Sequence, residues 1–197
     1  MYPLLPSPDT AGKETHYAWW TGGFSNDEIE KIKQIGRALE TKPSIVGTGG
    51  GSLDEKTRKS RNSWIPYAQE SAFIYDKLGY IARMLNGEFF EFDLYGFGEP
   101  IQYTMYEASH NHYDWHMDRG LMGGSAPRKL SLVLQLSDPH EYDGGDLELF
   151  ISNQPTVLAK EKGKVYAFPS YIMHRVTPVT RGLRETVVVW LCGNKFR

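Results

Sequence analysis

At 197 residues the chain is long enough for one domain with a sizeable core. Hydrophobic residues at 40% and charged residues at 23% are ordinary for a globular protein, and a formal net charge of −2 provides no basic field for nucleic acid or an anionic membrane. A single cysteine, Cys192, excludes an internal disulfide framework and a cysteine-rich zinc site. Met1 to Pro8 has no basic start and no long apolar run, and no stretch approaches membrane-span length, so the expected location is cytoplasmic.

With no internal repeat and no clear boundary, residues 1–197 are read as one domain, beginning with a proline-rich extended arm over 1–15. Tyr17 to Thr21 reads as a short strand. Ser25 with Glu28 three residues later forms a capping box, and Ile29, Ile32, Ile35 and Leu39 give the following helix one apolar face. Pro43 ends it. Residues 47–61 begin with Gly47, Gly49, Gly50 and Gly51 and continue with Lys56, Arg58, Lys59 and Arg61. Such a stretch, without periodicity, is either a solvated loop or a flap that closes over a substrate. A second helix is expected over 70–85, with Asn86-Gly87 as its stop.

From residue 89 the pattern turns to strands. Phe90, Phe92 and Leu94 alternate with acids, and residues 101–108, 130–137, 147–151, 165–168 and 186–192 all read as extended. Asp143 to Asp146 and Pro178 to Gly182 read as turns. Helices followed by many short strands predict a mainly β sandwich or jelly roll with the N-terminal helices packed outside one sheet.

The chemistry concentrates in His110 to Asp118. Residues two apart in a strand face the same way, so His116 and Asp118 can approach one metal ion together. His112 and Asp114 have the same spacing, and spacing alone does not choose between the pairs. His174 is the best third ligand. Two histidines and a carboxylate with open positions form the facial triad of non-haem iron oxygenases. After His174 comes Arg184, at the entrance to an apolar strand. There a guanidinium could hold the distal carboxylate of a dianionic cosubstrate such as 2-oxoglutarate.

The run from His174 to Arg184, His-Arg-Val-Thr-Pro-Val-Thr-Arg-Gly-Leu-Arg, resembles the 2-oxoglutarate- and Fe(II)-dependent dioxygenases of the prolyl 4-hydroxylase-like branch, and especially the bacterial PKHD-type hydroxylases. The likeness covers about residues 102–190 and implies a double-stranded β-helix core over about 101–192. In that branch tyrosines lie three and ten residues before the metal His-x-Asp. Tyr113 and Tyr106 match, which selects His116 and Asp118 over the rival pair. The resemblance further implies that Tyr106 and Trp190 line the cosubstrate pocket. Gln135 stands where some relatives carry an aromatic residue, and it could donate to the distal carboxylate. Tyr113, Arg61 and Trp64 are expected to face the substrate.

The resemblance thus implies a dioxygenase using Fe(II), 2-oxoglutarate and O2, with ascorbate as a reductant of the iron. The implied substrate is a prolyl residue in a protein or peptide. A free amino acid or other small molecule is the alternative, and a non-catalytic metal-binding β-sandwich is the rival from another class. Neither nucleic acid nor membrane is an expected partner.

Overall fold

The computed structural model describes residues 15–43, 57–119 and 127–194. In chain order the elements are β1 (Ala18–Trp20), α1 (Asn26–Ala38), β2 (Lys42–Pro43), β3 (Arg58–Lys59), β4 (Arg61–Ile65), α2 (Ala72–Leu85) and a π-helical turn (Asn86–Phe90). Then come β5 (Leu94–Phe97), β6 (Ile101–Glu107), β7 (His112–His116), β8 (Arg128–Gln135), a 3-10 turn (Pro139–Glu141) and β9 (Tyr142–Gly144). The chain closes with β10 (Leu147–Phe150), β11 (Thr156–Val157), β12 (Val165–Pro169), β13 (Met173–Val176) and β14 (Val179–Gly193). Among the described residues no helix is long and apolar enough to cross a membrane.

The strands form two antiparallel sheets. The larger runs β1-β12-β8-β14-β6-β4-β2, with β5 and β9 also paired to β14; the smaller runs β11-β10-β13-β7-β3. Strand alternation divides the larger sheet's side chains between two cores. Tyr103, Leu130, Leu132, Leu134, Val187 and Val189 pack against Ile29, Ile32, Ile74, Leu78 and Ile81 of the helices. The opposite face, with Tyr106, Val133, Tyr166 and Phe168, meets Leu147, Leu149 and Val176 of the smaller sheet. This is the expected jelly roll, with both helices outside one sheet.

Local chemistry accounts for the helices. The Ser25 hydroxyl accepts from the Glu28 N–H at 3.2 Å, and the Glu28 carboxylate accepts from the Ser25 N–H at 2.8 Å, completing the capping box. Lys77 of α2 donates to the same carboxylate at 2.7 Å and so ties the helices together.

Three expectations are corrected. Asn86-Gly87 does not stop the second helix. The Asn86 side chain bonds the Phe92 N–H and C=O at 3.0 and 2.9 Å, holding an extra π-helical turn that ends at Glu91 with φ +52°. The strand expected from Phe90 therefore begins at Leu94. Residues 178–182 are not a terminal turn, because β14 already starts at Val179. Gly182, at φ +75°, lets that strand bend against Glu141, whose carbonyl would lie 1.9 Å from any added Cβ. Finally, Arg58, Lys59 and Arg61 belong to strands β3 and β4 rather than to a loop. Residues 47–56 of the proposed flap and residues 1–14 of the extended arm lie outside the described residues.

Candidate metal and cosubstrate site

The two strands that carry the histidines are neighbours. His116 on β7 lies directly opposite His174 on β13, and the register shifts just beyond that pair. Asp118 follows two residues after β7. One donor atom from each of His116, Asp118 and His174 lies within 4.8 Å of the others. The Nε2 atoms of His116 and His174 are 3.6 and 3.5 Å from different oxygens of Asp118. Among the described residues no other group of histidines, cysteines and carboxylates converges in this way.

Outer contacts fix the orientation of each donor. His116 Nδ1 is 2.7 Å from the Asp114 carbonyl, and His174 Nδ1 is 2.9 Å from the Ile172 carbonyl. A carbonyl only accepts, so each Nδ1 carries the proton and each Nε2 lone pair faces inward, ready for a metal. Ser131 donates to Asp118 Oδ2 at 2.7 Å and is itself 2.9 Å from the Ser170 hydroxyl. Arg128 grips both oxygens of Glu99 at 2.7 Å, reaches the Asp118 carbonyl at 3.2 Å and lies 3.7 Å above the Trp190 ring.

Electrostatics keep the site ready for a cation. Burial pushes the His116 pKa down to about 3, assisted by His174, so its imidazole is neutral at ordinary pH. For Asp118 burial acts upward, but His174, His116 and the Ser131 hydroxyl outweigh it and hold the carboxyl down at about 2. A neutral His116 imidazole and an ionised Asp118 carboxylate suit a divalent metal.

Arg184 lies on β14, opposite Tyr106, and its guanidinium carbon sits 5.3 Å from the centre of that ring. It is 2% exposed, and its Nε is buried with no hydrogen-bond partner among the described residues. Such a group calls for an anion, because an unpaired buried charge costs several kcal/mol, of order 3–5. A cavity of about 10 Å³ lies beside it, lined among others by Gln135, Tyr142, Gly145 and Lys160. Alternation places Arg184 on the same face of β14 as Trp190, next to Ser131. The Trp190 indole N–H likewise lacks a partner in ordinary geometry, although it faces Asp118 closely enough to favour the ionised carboxylate.

The remaining sequence candidates divide. Tyr113 stacks on His116 with centroids 3.4 Å apart, and Trp64 lies 6.3 Å from Trp190 with 43% of its surface exposed. Tyr106 is buried beside Arg184. Gln135 borders the cavity, but its amide nitrogen donates to Tyr142 at 2.8 Å and lies 3.3 Å from the Ser137 carbonyl. Arg61 is not brought into the site: it is exposed and bonds Thr41 at 2.7 Å. His112 turns its Nδ1 to the His110 carbonyl, and the Asp114 carboxylate accepts from the Trp115 N–H.

Several neighbours carry no signal in the sequence strong enough to single them out. Arg58 is buried, lies 4.4 Å over Tyr113 and donates to Gln102 at 3.1 Å. Its charge was visible; its place on a strand beside the site was not. Ser131 could have been found by parity, since it alternates with the apolar Leu130 and Leu132.

Residues 101–192 match the model of the 2OG-Fe(II) oxygenase superfamily. A PKHD-type hydroxylase from Teredinibacter turnerae is 33% identical over 175 residues, which cover 83% of this chain and 73% of that protein. Another, from Maricaulis maris, is 40% identical over 79 residues, but that match spans only 36% of its length. Among solved structures, a prolyl-4-hydroxylase from Pseudomonas putida superposes with a TM-score of 0.71 at 20% identity, covering 91% of this chain and 94% of that one. A Trichoplax adhaerens prolyl hydroxylase, in complex with a hypoxia inducible factor peptide fragment, gives 0.73 at 13% identity over 90% and 84% of the two chains. With a converging His-Asp-His set, a buried unpaired arginine and a relative matched over most of both lengths, this chain belongs to the 2OG-Fe(II) oxygenase superfamily, in its PKHD-type branch, and shares its fold with prolyl-4-hydroxylases.

Proposed function

We propose that the protein couples decarboxylation of 2-oxoglutarate to hydroxylation of a prolyl residue in a protein or peptide, with His116, Asp118 and His174 holding Fe(II). The observation that carries this reading is the converging triad of the smaller sheet, with both Nε2 lone pairs turned inward and with Asp118 bonded to Ser131 on the face of the larger sheet that also carries the unpaired Arg184. Bound there, iron with 2-oxoglutarate and O2 supplies the oxidising chemistry, giving succinate, CO2 and a hydroxylated carbon. Ascorbate serves as the reductant that keeps the metal in its ferrous state.

The chain's own residues do the rest. The carbonyls of Asp114 and Ile172 hold the imidazoles in the ligating tautomer. Arg184 receives the distal carboxylate beside Tyr106. Tyr113, packed between Arg58 and His116, and Trp190, packed against Trp64, keep water from the metal side. Trp64 offers an exposed aromatic surface for a prolyl ring. The peptide substrate is supported by the family branch and by the peptide bound to the Trichoplax relative.

The test is to incubate the protein with Fe(II), 2-oxoglutarate, ascorbate and proline-containing peptides. Succinate should form, with one oxygen atom added on proline by fragment mass spectrometry. Oxygen added only to free amino acids or other small molecules would overturn the peptide assignment. The absence of succinate under every condition would overturn the enzymatic one.

A further inference from the structure

The cavity beside Arg184 contains a second polar group, from a strand remote in sequence. Tyr142 begins β9, is 1% exposed and shares the cavity wall with Arg184. The two side chains are close neighbours. A Cβ built on Gly145 would lie 2.9 Å from Arg184 Cδ and 3.3 Å from Tyr142 Cε2, so the glycine keeps a gap open between them.

Gln135 determines what the Tyr142 hydroxyl can do. The Gln135 amide nitrogen lies 3.3 Å from the Ser137 carbonyl and 2.8 Å from the Tyr142 oxygen. A carbonyl only accepts, so that amide end is the donor end and the phenol oxygen receives a proton from it. The phenol's own proton is then left to point elsewhere. Gln135 meanwhile spends its donors on Ser137 and Tyr142.

From this geometry we infer that Tyr142, oriented by Gln135, is the second donor to the distal carboxylate of the cosubstrate, alongside Arg184. Gln135 is thus a positioning residue, and the direct contact comes from a different strand than its own. This inference rests on the reading of Arg184 as the 2-oxoglutarate anchor. Lys160 lies 4.9 Å from the Tyr142 ring, but it bonds Asp146 and the Gly144 carbonyl at 2.9 and 2.6 Å, so it frames the cavity rather than competing for the carboxylate.

The test compares two probes on the full-length Fe(II) protein without oxygen: 2-oxoglutarate, and 2-oxopentanoate, which has a methyl group in place of the distal carboxylate. Chelation of either is read from the visible charge-transfer absorption of the iron. The wild-type protein should bind 2-oxoglutarate far more tightly. In Tyr142→Phe that preference should shrink about tenfold or more, through loss of a hydrogen bond to a charged group, with 2-oxopentanoate binding unchanged. Gln135→Leu should shrink it only a few-fold, because the phenol remains. An unchanged preference in Tyr142→Phe, or a larger loss in Gln135→Leu than in Tyr142→Phe, overturns the inference. If Tyr142→Phe does not fold, the size of the Gln135→Leu loss decides: a few-fold supports the assignment, and tenfold or more returns the contact to Gln135. A wild-type protein with no preference between the probes instead refutes the reading of Arg184, whatever the variants do.

Discussion

At the scale of residues, two arginines three positions apart have opposite fates. Arg181 forms an exposed pair with Asp143 at 2.6 Å, and both side chains are 58% accessible. Solvent screens such exposed pairs, and they add little stability. Arg184 is buried with its Nε unpartnered. Arg184→Gln should therefore raise the half-saturating 2-oxoglutarate concentration steeply, since losing one member of a desolvated charge pair costs about 2–5 kcal/mol. Arg181→Gln should leave it within about twofold. Steady-state titration of the two variants distinguishes them, and equal losses would place the anchor at both.

The same contrast separates the two His-x-Asp pairs. Asp118→Ala removes the carboxylate proposed to ligate iron and should abolish iron retention after desalting. Asp114→Ala should retain iron, because the 114 contact to His116 comes from the backbone carbonyl. Metal analysis by mass spectrometry reads both. The spacing of these residues was legible in the sequence but left both pairs open, and the tyrosine register of the resembling family favoured His116 and Asp118. The structure sets His116, and not His112, opposite His174 across β7 and β13.

At the scale of elements, α1 shows how local and long-range chemistry combine. The hydrogen bond from Lys77 and then that from the Ser25 N–H hold the Glu28 carboxyl below its ordinary value of 4.5. Below that pH the unfolded chain binds more protons at this position than the folded one. The stabilisation is therefore complete above about pH 4.5 and is lost as the pH falls through the lowered folded value. Glu28→Gln should lower Tm slightly at neutral pH and make its decline in acid shallower. The last turn of the helix is set by close approach. A Cβ at Gly36 would lie 2.4 Å from the ring of Tyr103, which is fully buried on β6. Gly36→Ala should therefore destabilise by about 1–3 kcal/mol despite the better helix former, because the overpacking outweighs the propensity gain. Urea unfolding measures it, and an unchanged midpoint would mean that helix and sheet separate without cost.

The helix start was readable because a capping box is local. The π-helical turn was not, because Asn86 acts through Phe92, six residues on, and Asn-Gly otherwise looks like a stop. β14 was underestimated for a related reason. Val179, Arg181 and Gly182 belong to the strand because they pair with Gly144, Asp143 and Tyr142. That partner strand is remote in sequence.

At the scale of the whole molecule, β14 organises the site. Its start pairs with β9 and its later part with β6 and β8, so one strand brings Arg184 beside Tyr106 and Trp190 beside Ser131. The helices cover the sheet's apolar face and leave the other face to a pocket closed by the smaller sheet. The triad and Arg184 were legible because each sits in a short motif with its own chemistry. Tyr142 and Arg58 reach the pocket from strands whose positions only the fold fixes.

The central claim is that the triad and Arg184 together bind Fe(II) and 2-oxoglutarate. Its most direct measurement is an anaerobic titration of the full-length protein with Fe(II) and then 2-oxoglutarate, followed by visible absorption. A saturable charge-transfer band is expected at one equivalent of iron, lost in Asp118→Ala and moved to much higher 2-oxoglutarate concentration in Arg184→Gln. A wild-type protein that takes up iron and shows no band at any 2-oxoglutarate concentration, or an Asp118→Ala variant that keeps it, would contradict the claim.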